Sequence, residues 1–202
     1  FIDFERFRKT NKEHFKKIIA PEGERILVHT SNFRKVKRVE DVVLIFKKVH
    51  DVVPSKLLMI GDGPERQNVE RLCRELGLSH DVRFLGKQDA VEELLAICDL
   101  FVIPSENESF GLAALEAMAC EVPVISSNSG GLPEVNLHGV TGFLSCPGHV
   151  DEMARHAIQL LSDEEMLQTF RANALAQAKR FDIQNILPHY EAYYEEILER
   201  SV

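Results

Sequence analysis

Leu100-Phe101-Val102-Ile103-Pro104 is a short apolar run. Ser105-Glu106-Asn107-Glu108-Ser109-Phe110-Gly111 separates it from the apolar stretch Leu112-Ala113-Ala114-Leu115-Glu116-Ala117-Met118-Ala119-Cys120. The first run reads as a strand stopped by its proline, and the last as a helix opening near Gly111 and closing at Cys120. Free backbone amides and the positive end of the dipole at that helix start form an anion site suited to a diphosphate. Gly111 lets a ligand approach the backbone closely. Glu116 stands five residues further on, roughly 7 to 8 Å along the helix axis, where its carboxylate accepts hydrogen bonds from the vicinal hydroxyls of a ribose. Glu108 precedes the helix, on the side where a hexose would sit. Carboxylates on both sides of an anion site point to hydroxyl recognition rather than charge pairing. The plainer alternative makes Glu108 a helix cap and Glu116 a solvated residue. Against it, a lone Glu in so apolar a helix is buried and needs a partner.

Outward from this stretch, β-branched runs alternate with amphipathic segments of helical period. Strands are predicted at Ile26 to Thr30, Leu57 to Ile60, Val82 to Gly86, Leu100 to Pro104 and Val122 to Ile125, with a further extended piece at Thr141 to Leu144. Helices are predicted over about Val39 to Val49, Val91 to Ile97, Val150 to Leu161, Asp163 to Arg180 and Gln184 to Glu199. Another carries Val69, Leu72, Cys73 and Leu76 on its apolar face, with Pro64 of the Gly61-Asp62-Gly63-Pro64 turn at its first position. Five strand-helix units with right-handed crossovers make an α/β, Rossmann-like doubly wound parallel sheet, whose ligands bind beyond the carboxyl ends of the strands.

The 202 residues, 45% hydrophobic, suffice for one globular core. No apolar run approaches the roughly 18 residues of a membrane-spanning helix. Lys+Arg 24 against Asp+Glu 32 gives a net charge of −8, which disfavours nucleic acid or an anionic membrane as main partner. Residues 1 to 100 carry 19 basic and 17 acidic side chains and residues 101 to 202 carry 5 and 15, so an anion is bound by the first half or by backbone. The dense basic cluster is Arg34, Lys35, Lys37 and Arg38. Cys73, Cys98, Cys120 and Cys146 form no C-x-x-C pair and read as buried thiols of a reducing cytoplasm. His149 and His156 fall on one predicted helix without a third ligand, so no zinc site is expected. His138 reads as a turn residue, and Tyr190, Tyr193 and Tyr194 as packing groups. The chain opens on Phe1-Ile2-Asp3, without an initiator Met or an apolar leader. Its Lys-rich lead-in to Ile19 looks like the end of a connection from an upstream domain.

In combination, these elements resemble the GT-B retaining glycosyltransferases of family 4. Glu108-x7-Glu116 looks like that family's E-x7-E signature, Val122-Pro123-Val124 its V-P-V element, and Gly130-Gly131-Leu132-Pro133-Glu134 its G-G-x-P-E element. His138-Gly139-Val140-Thr141-Gly142 matches its H-G-x-T-G turn. The resemblance covers essentially the whole chain as the carboxyl-terminal, nucleotide-sugar-binding half of a GT-B fold, with residues 1–19 ending the interdomain connection and the amino-terminal acceptor domain absent.

The resemblance implies that Glu116 holds the ribose and Glu108 contacts the transferred sugar. It places the backbone of Ser109, Phe110, Gly111 and Leu112 against sugar and phosphates, and the base near Leu85 and Gly86. The family's G-R-x-x-x-x-K element, which neutralises the leaving diphosphate, aligns with Ser31-Asn32-Phe33-Arg34-Lys35-Val36-Lys37. Lys37 matches, Asn32 stands where the family has Arg, and Arg34 or Arg38 is left to compensate. The run Ser31 to Val39 resembles the bacillithiol-pathway branch, which transfers N-acetylglucosamine from a uridine diphosphate donor to L-malate. Implied with it are catalytic roles for Lys37 and Glu108, a UDP-sugar donor, a small-molecule acceptor held mainly by the missing domain, no metal, and compatibility with a homo-oligomer. Two further readings stand beside this one: a nucleotide-sugar-binding module without turnover, and a UDP-sugar epimerase.

Overall fold

The computed structural model describes residues 1–184. Its strands are β1 (Arg25–Ser31), β2 (Ser55–Gly61), β3 (Val82–Gly86), β4 (Leu100–Ile103), β5 (Val124–Ser127) and β6 (Gly142–Ser145). All pair in parallel, in the order β3-β2-β1-β4-β5-β6. The helices are α1 (Glu13–Ile19), α2 (Val39–His50), α3 (Arg66–Glu75), α4 (Val91–Leu95), α5 (Leu112–Ala119), α6 (Leu132–Val135), α7 (Val150–Ser162) and α8 (Glu164–Ala178).

Side chains alternate across each strand, so the sheet feeds two cores. Ile26, Val28, Leu58, Phe101 and Ile103 join Leu115 and Met118 of α5 and Ala174 of α8 on one face. Leu27, Leu57, Met59, Leu100 and Val102 join Phe46 of α2, Val69 of α3 and Leu160 of α7 on the other. The lead-in packs onto the first core through Ile2, Phe7 and Ile19. It is fastened below the sheet where the buried Asp99 carboxylate accepts from Ile26 N–H (2.8 Å), Arg171 (2.6 Å) and Lys16 (3.2 Å). No helix of the described residues is long and apolar enough to cross a membrane.

The doubly wound parallel sheet agrees with the reading of the sequence, and several boundaries move. The piece at Thr141 to Leu144 is a full sixth strand, because Gly142–Ser145 pairs with all of β5. The fifth strand starts at Val124: Pro123 has no N–H for the ladder, although its carbonyl accepts from Phe101 N–H at 2.9 Å. Pro64 is not the first residue of α3, since Arg66 N–H closes a turn onto Gly63 O before the helical ladder begins. His149 precedes α7 and so does not share that helix with His156. Cys146 is exposed, whereas the other three thiols are buried. Between β5 and β6 stands the short α6, an element absent from the reading of the sequence, with a proline in its first turn. The predicted helix Gln184 to Glu199 and the three tyrosines lie outside the described residues, apart from Gln184.

Candidate functional site

The chain leaves β3 at one edge and returns as β4 beside β1, so β1 and β4 flank the point where the winding reverses. Loops on either side of such a point diverge and leave a crevice beyond the strand ends. The β1 loop carries Asn32 to Lys37 and the β4 loop carries Ser105 to Gly111. Their side chains meet where Lys37 Nζ donates to Glu108 Oε2 at 2.6 Å, with 20% and 16% of the two side chains exposed. Ser105 Oγ lies 3.4 Å from the same oxygen, and Glu106 N–H donates to Val36 O at 2.8 Å.

Glu108 does not cap the following helix: α5 has no side-chain cap, and its first amides face the loop. Gly111 occupies the N-cap with φ +84, a left-handed conformation glycine adopts without strain, and an added Cβ would sit 2.9 Å from Leu132 Cδ2. The glycine is thus required by the turn itself. The segment from Ser127 to Gly131, which leads into the G-G-x-P-E stretch, is the brace of this loop. Gly131 N–H donates to Glu108 O (2.9 Å), Ser129 Oγ to Glu106 O (2.6 Å) and Ser127 Oγ to Ser105 O (2.6 Å). Charge pairing, disfavoured by the sequence reading for Glu108, is what the structure shows, in the 2.6 Å contact with Lys37.

Glu116 is half-buried on α5, and its carboxylate has no hydrogen-bond partner among the described residues. Burial raises its pKa above the ordinary 4.5, Arg6 opposes the rise, and Glu92 adds to it. A half-buried carboxylate with no protein donor suits a ligand that brings hydroxyls. Leu85 and Phe110 pack against the same core cluster, and Gly86 (φ +67) lies beside Arg66. Arg34 and Asn32 are exposed, as is Leu112 at the start of α5. Arg38 is committed to α2 through Asp41 Oδ2 at 2.7 Å. Among the described residues no three His, Cys, Asp or Glu cluster as metal ligands.

Sequence reasoning passed over His29, which is fully buried at the end of β1. Its Nδ1 is 2.8 Å from Val102 O and its Nε2 is 2.8 Å from Ser31 Oγ. A histidine within a β-branched run was the available signal. Burial lowers its pKa to about 4, the Val102 carbonyl opposes the fall, and the Lys37 cation adds to it. The unfolded chain binds this proton near pH 6.5 and the folded chain only near 4, so stability is full above 6.5 and falls as pH drops between the two. The loss should approach about 3 kcal/mol at pH 4. Urea unfolding from pH 7.5 to 4.5 should show a shallower acid slope in His29→Asn; equal slopes would remove His29 as the cause.

The family model for glycosyl transferases of group 1 matches residues 10–177. The chain is 46% identical over 200 residues to N-acetyl-alpha-D-glucosaminyl L-malate synthase of Bacillus anthracis, covering 98% of this chain and 52% of that protein. It is 35% identical over 155 residues to an uncharacterised glycosyltransferase of Methanocaldococcus jannaschii, covering 75% and 40%. Among solved structures, Anabaena HepE in complex with UDP and glucose superposes with a TM-score of 0.88 at 26% identity, covering 96% of this chain and 55% of that one. The C-terminal domain of a group 1 protein from Francisella tularensis shares the fold (TM-score 0.80, 21% identity), with coverage of 91% and 100%. The chain therefore spans about half the length of the curated relatives it matches.

Proposed function

The chain belongs to the glycosyl transferases of group 1, and from that membership we propose that it is the donor-binding half of a two-domain enzyme. In this reading it binds a UDP-sugar, UDP-N-acetylglucosamine, for retaining transfer to L-malate in the cytoplasm. Residues 1–19 end the connection from an acceptor domain. The observation that supports it most is the meeting of Lys37 and Glu108 beside the uncapped start of α5. One positive and one negative side chain thereby flank a row of free amides. The diphosphate takes Lys37 and the amides, and the released Glu108 accepts from sugar hydroxyls. Glu116 holds the ribose, and the base lies by Leu85 and Gly86. Arg34 supplies the second cation, because Arg38 is held by Asp41. As the bond from the anomeric carbon to the β-phosphate oxygen breaks, these donors stabilise the departing diphosphate without a metal, and the sugar turns oxocarbenium-like.

The acceptor and donor identities are supported by the 46% identical malate synthase, and the nucleotide by the UDP held in the HepE structure. Glu116→Ala tests the ribose assignment. Calorimetry should show UDP affinity reduced by about 10- to 100-fold, as befits the loss of hydrogen bonds to a charged group. The free variant should be as stable as the parent or more so, since an unpartnered carboxylate is removed. In the parent, UDP needs the ionised carboxylate, so its affinity should fall with acidification, starting at a pH above the ordinary 4.5. Unchanged affinity in folded Glu116→Ala sinks the assignment.

The half-length coverage favours one second reading, that this chain binds the donor without turnover. UDP titration with a transfer assay on the same chain distinguishes the two: binding alone supports the module, and product on malate refutes it.

A further inference from the structure

We propose that His29 and Ser31 are positioning residues for Lys37, forming a hydrogen-bond chain that runs from the buried end of β4 to the loop presenting the lysine. The ladder between β1 and β4 contains only the pairs Leu27↔Leu100 and Val28↔Phe101. Past Phe101 the two strands no longer pair, and the His29 ring spans the gap to Val102.

The direction of each bond follows from chemistry. Val102 O only accepts, so Nδ1 carries the ring hydrogen. Full burial and the nearby Lys37 cation keep the ring neutral, which leaves Nε2 bare and in need of a donor. The Ser31 hydroxyl supplies it at 2.8 Å, and Ser31 Oγ in turn accepts from Phe33 N–H at 3.3 Å. Each bond thus has one direction, and the imidazole, buried among apolar strand residues, is satisfied at both nitrogens.

The chain ends where the backbone is most constrained. Phe33 is fully buried at φ +36, a left-handed conformation that is unfavourable by about 1 to 2 kcal/mol for a residue with a Cβ. Such a conformation persists only when its surroundings impose it. Here Ser31 holds the Phe33 amide, and Glu65 N–H holds its carbonyl at 2.9 Å. The turn Lys35–Lys37 follows at once, and Val36 O accepts from Glu106 N–H on the β4 loop. Val102, His29, Ser31, Phe33, Val36 and Glu106 thus close a ring that begins and ends on one side of the crevice, and Lys37 projects from it to Glu108. A hydrophobic residue at position 29 would fill the space but could bond neither Val102 O nor Ser31 Oγ.

The proposal rests on the donor-site reading only for what Lys37 binds, and its test has two separable readouts. Ser31→Ala removes the middle link. His29→Asn keeps a donor for Val102 but has nothing to meet Ser31. Ser31→Thr retains the hydroxyl. Hydrogen exchange of the ligand-free chain should be faster at the amides of Phe33 to Lys37 in the first two variants and unchanged in the third. UDP affinity should fall about tenfold in the first two and return to the parent value in Ser31→Thr, as expected for one satisfied hydrogen bond. Variants that lower only the thermal midpoint, with parental exchange at 33–37, overturn the tether. A parent chain that fails to bind UDP overturns the donor reading instead, and the exchange data still decide the role of His29 and Ser31.

Discussion

Lys37→Ala is expected to weaken UDP binding by about 10- to 100-fold, and to lower kcat/KM for sugar transfer in the complete enzyme by about 100- to 1,000-fold. The ammonium is one of few cations at the crevice, in a chain whose second hundred residues are strongly acidic. A charge-assisted bond to phosphate contributes roughly 1.5 to 3 kcal/mol, and more where negative charge grows as the bond to the sugar breaks. Lys37 is paired with Glu108 at 2.6 Å, so a diphosphate bound as proposed would have to win the cation from a carboxylate. Glu108→Gln therefore has an informative sign: UDP should bind as tightly as in the parent or more tightly, while transfer from the UDP-sugar falls. Calorimetry and initial rates on both variants test the exchange. Equal UDP affinity in Lys37→Ala and the parent would place the diphosphate elsewhere.

The residues of this exchange were legible in the sequence, but their contact was not. Lys37 and Glu108 are 71 positions apart, and local pattern speaks only to neighbours along the chain. What brings them together is the reversal of winding between β1 and β4, a property of strand order. Periodicity similarly predicted the helices α2 and α7 without showing that they pack on each other. The sixth strand was underestimated for a related reason. Its four residues carry little β signal, and they are held by Asn136, which donates from Nδ2 to Val124 O (3.1 Å), Ser126 Oγ (2.9 Å) and Phe143 O (3.3 Å). A buried polar stitch of this kind is invisible to a hydrophobic pattern. The His29 chain escaped notice likewise, because nothing local indicates that the β1–β4 ladder stops two residues short.

The glycines of the Gly130-Gly131 pair were read as part of a motif, and the structure gives them a mechanical task that predicts the largest effect on the fold. Gly130→Ala should destabilise the chain by about 3 to 5 kcal/mol and lower UDP affinity with it. An added Cβ would lie 1.8 Å from Glu108 O, and that obstacle is backbone rather than a side chain able to swing away. Either the Ser129 to Gly131 turn or the Glu108 to Gly111 loop must shift, and both shifts break the 2.9 Å bond from Gly131 N–H to Glu108 O. The left-handed φ of +59 adds strain of about 1 kcal/mol for alanine. Gly139→Ala isolates that second contribution, since its φ is +74 and nothing lies within 4 Å of the new methyl. It should lose only about 1 kcal/mol and bind UDP normally. Urea denaturation of the two variants, with UDP titration of whatever remains folded, separates collision from strain. Similar stabilities and equal affinities would mean that the loop carrying Glu108 moves freely, and that the glycine pair does not hold the site in shape.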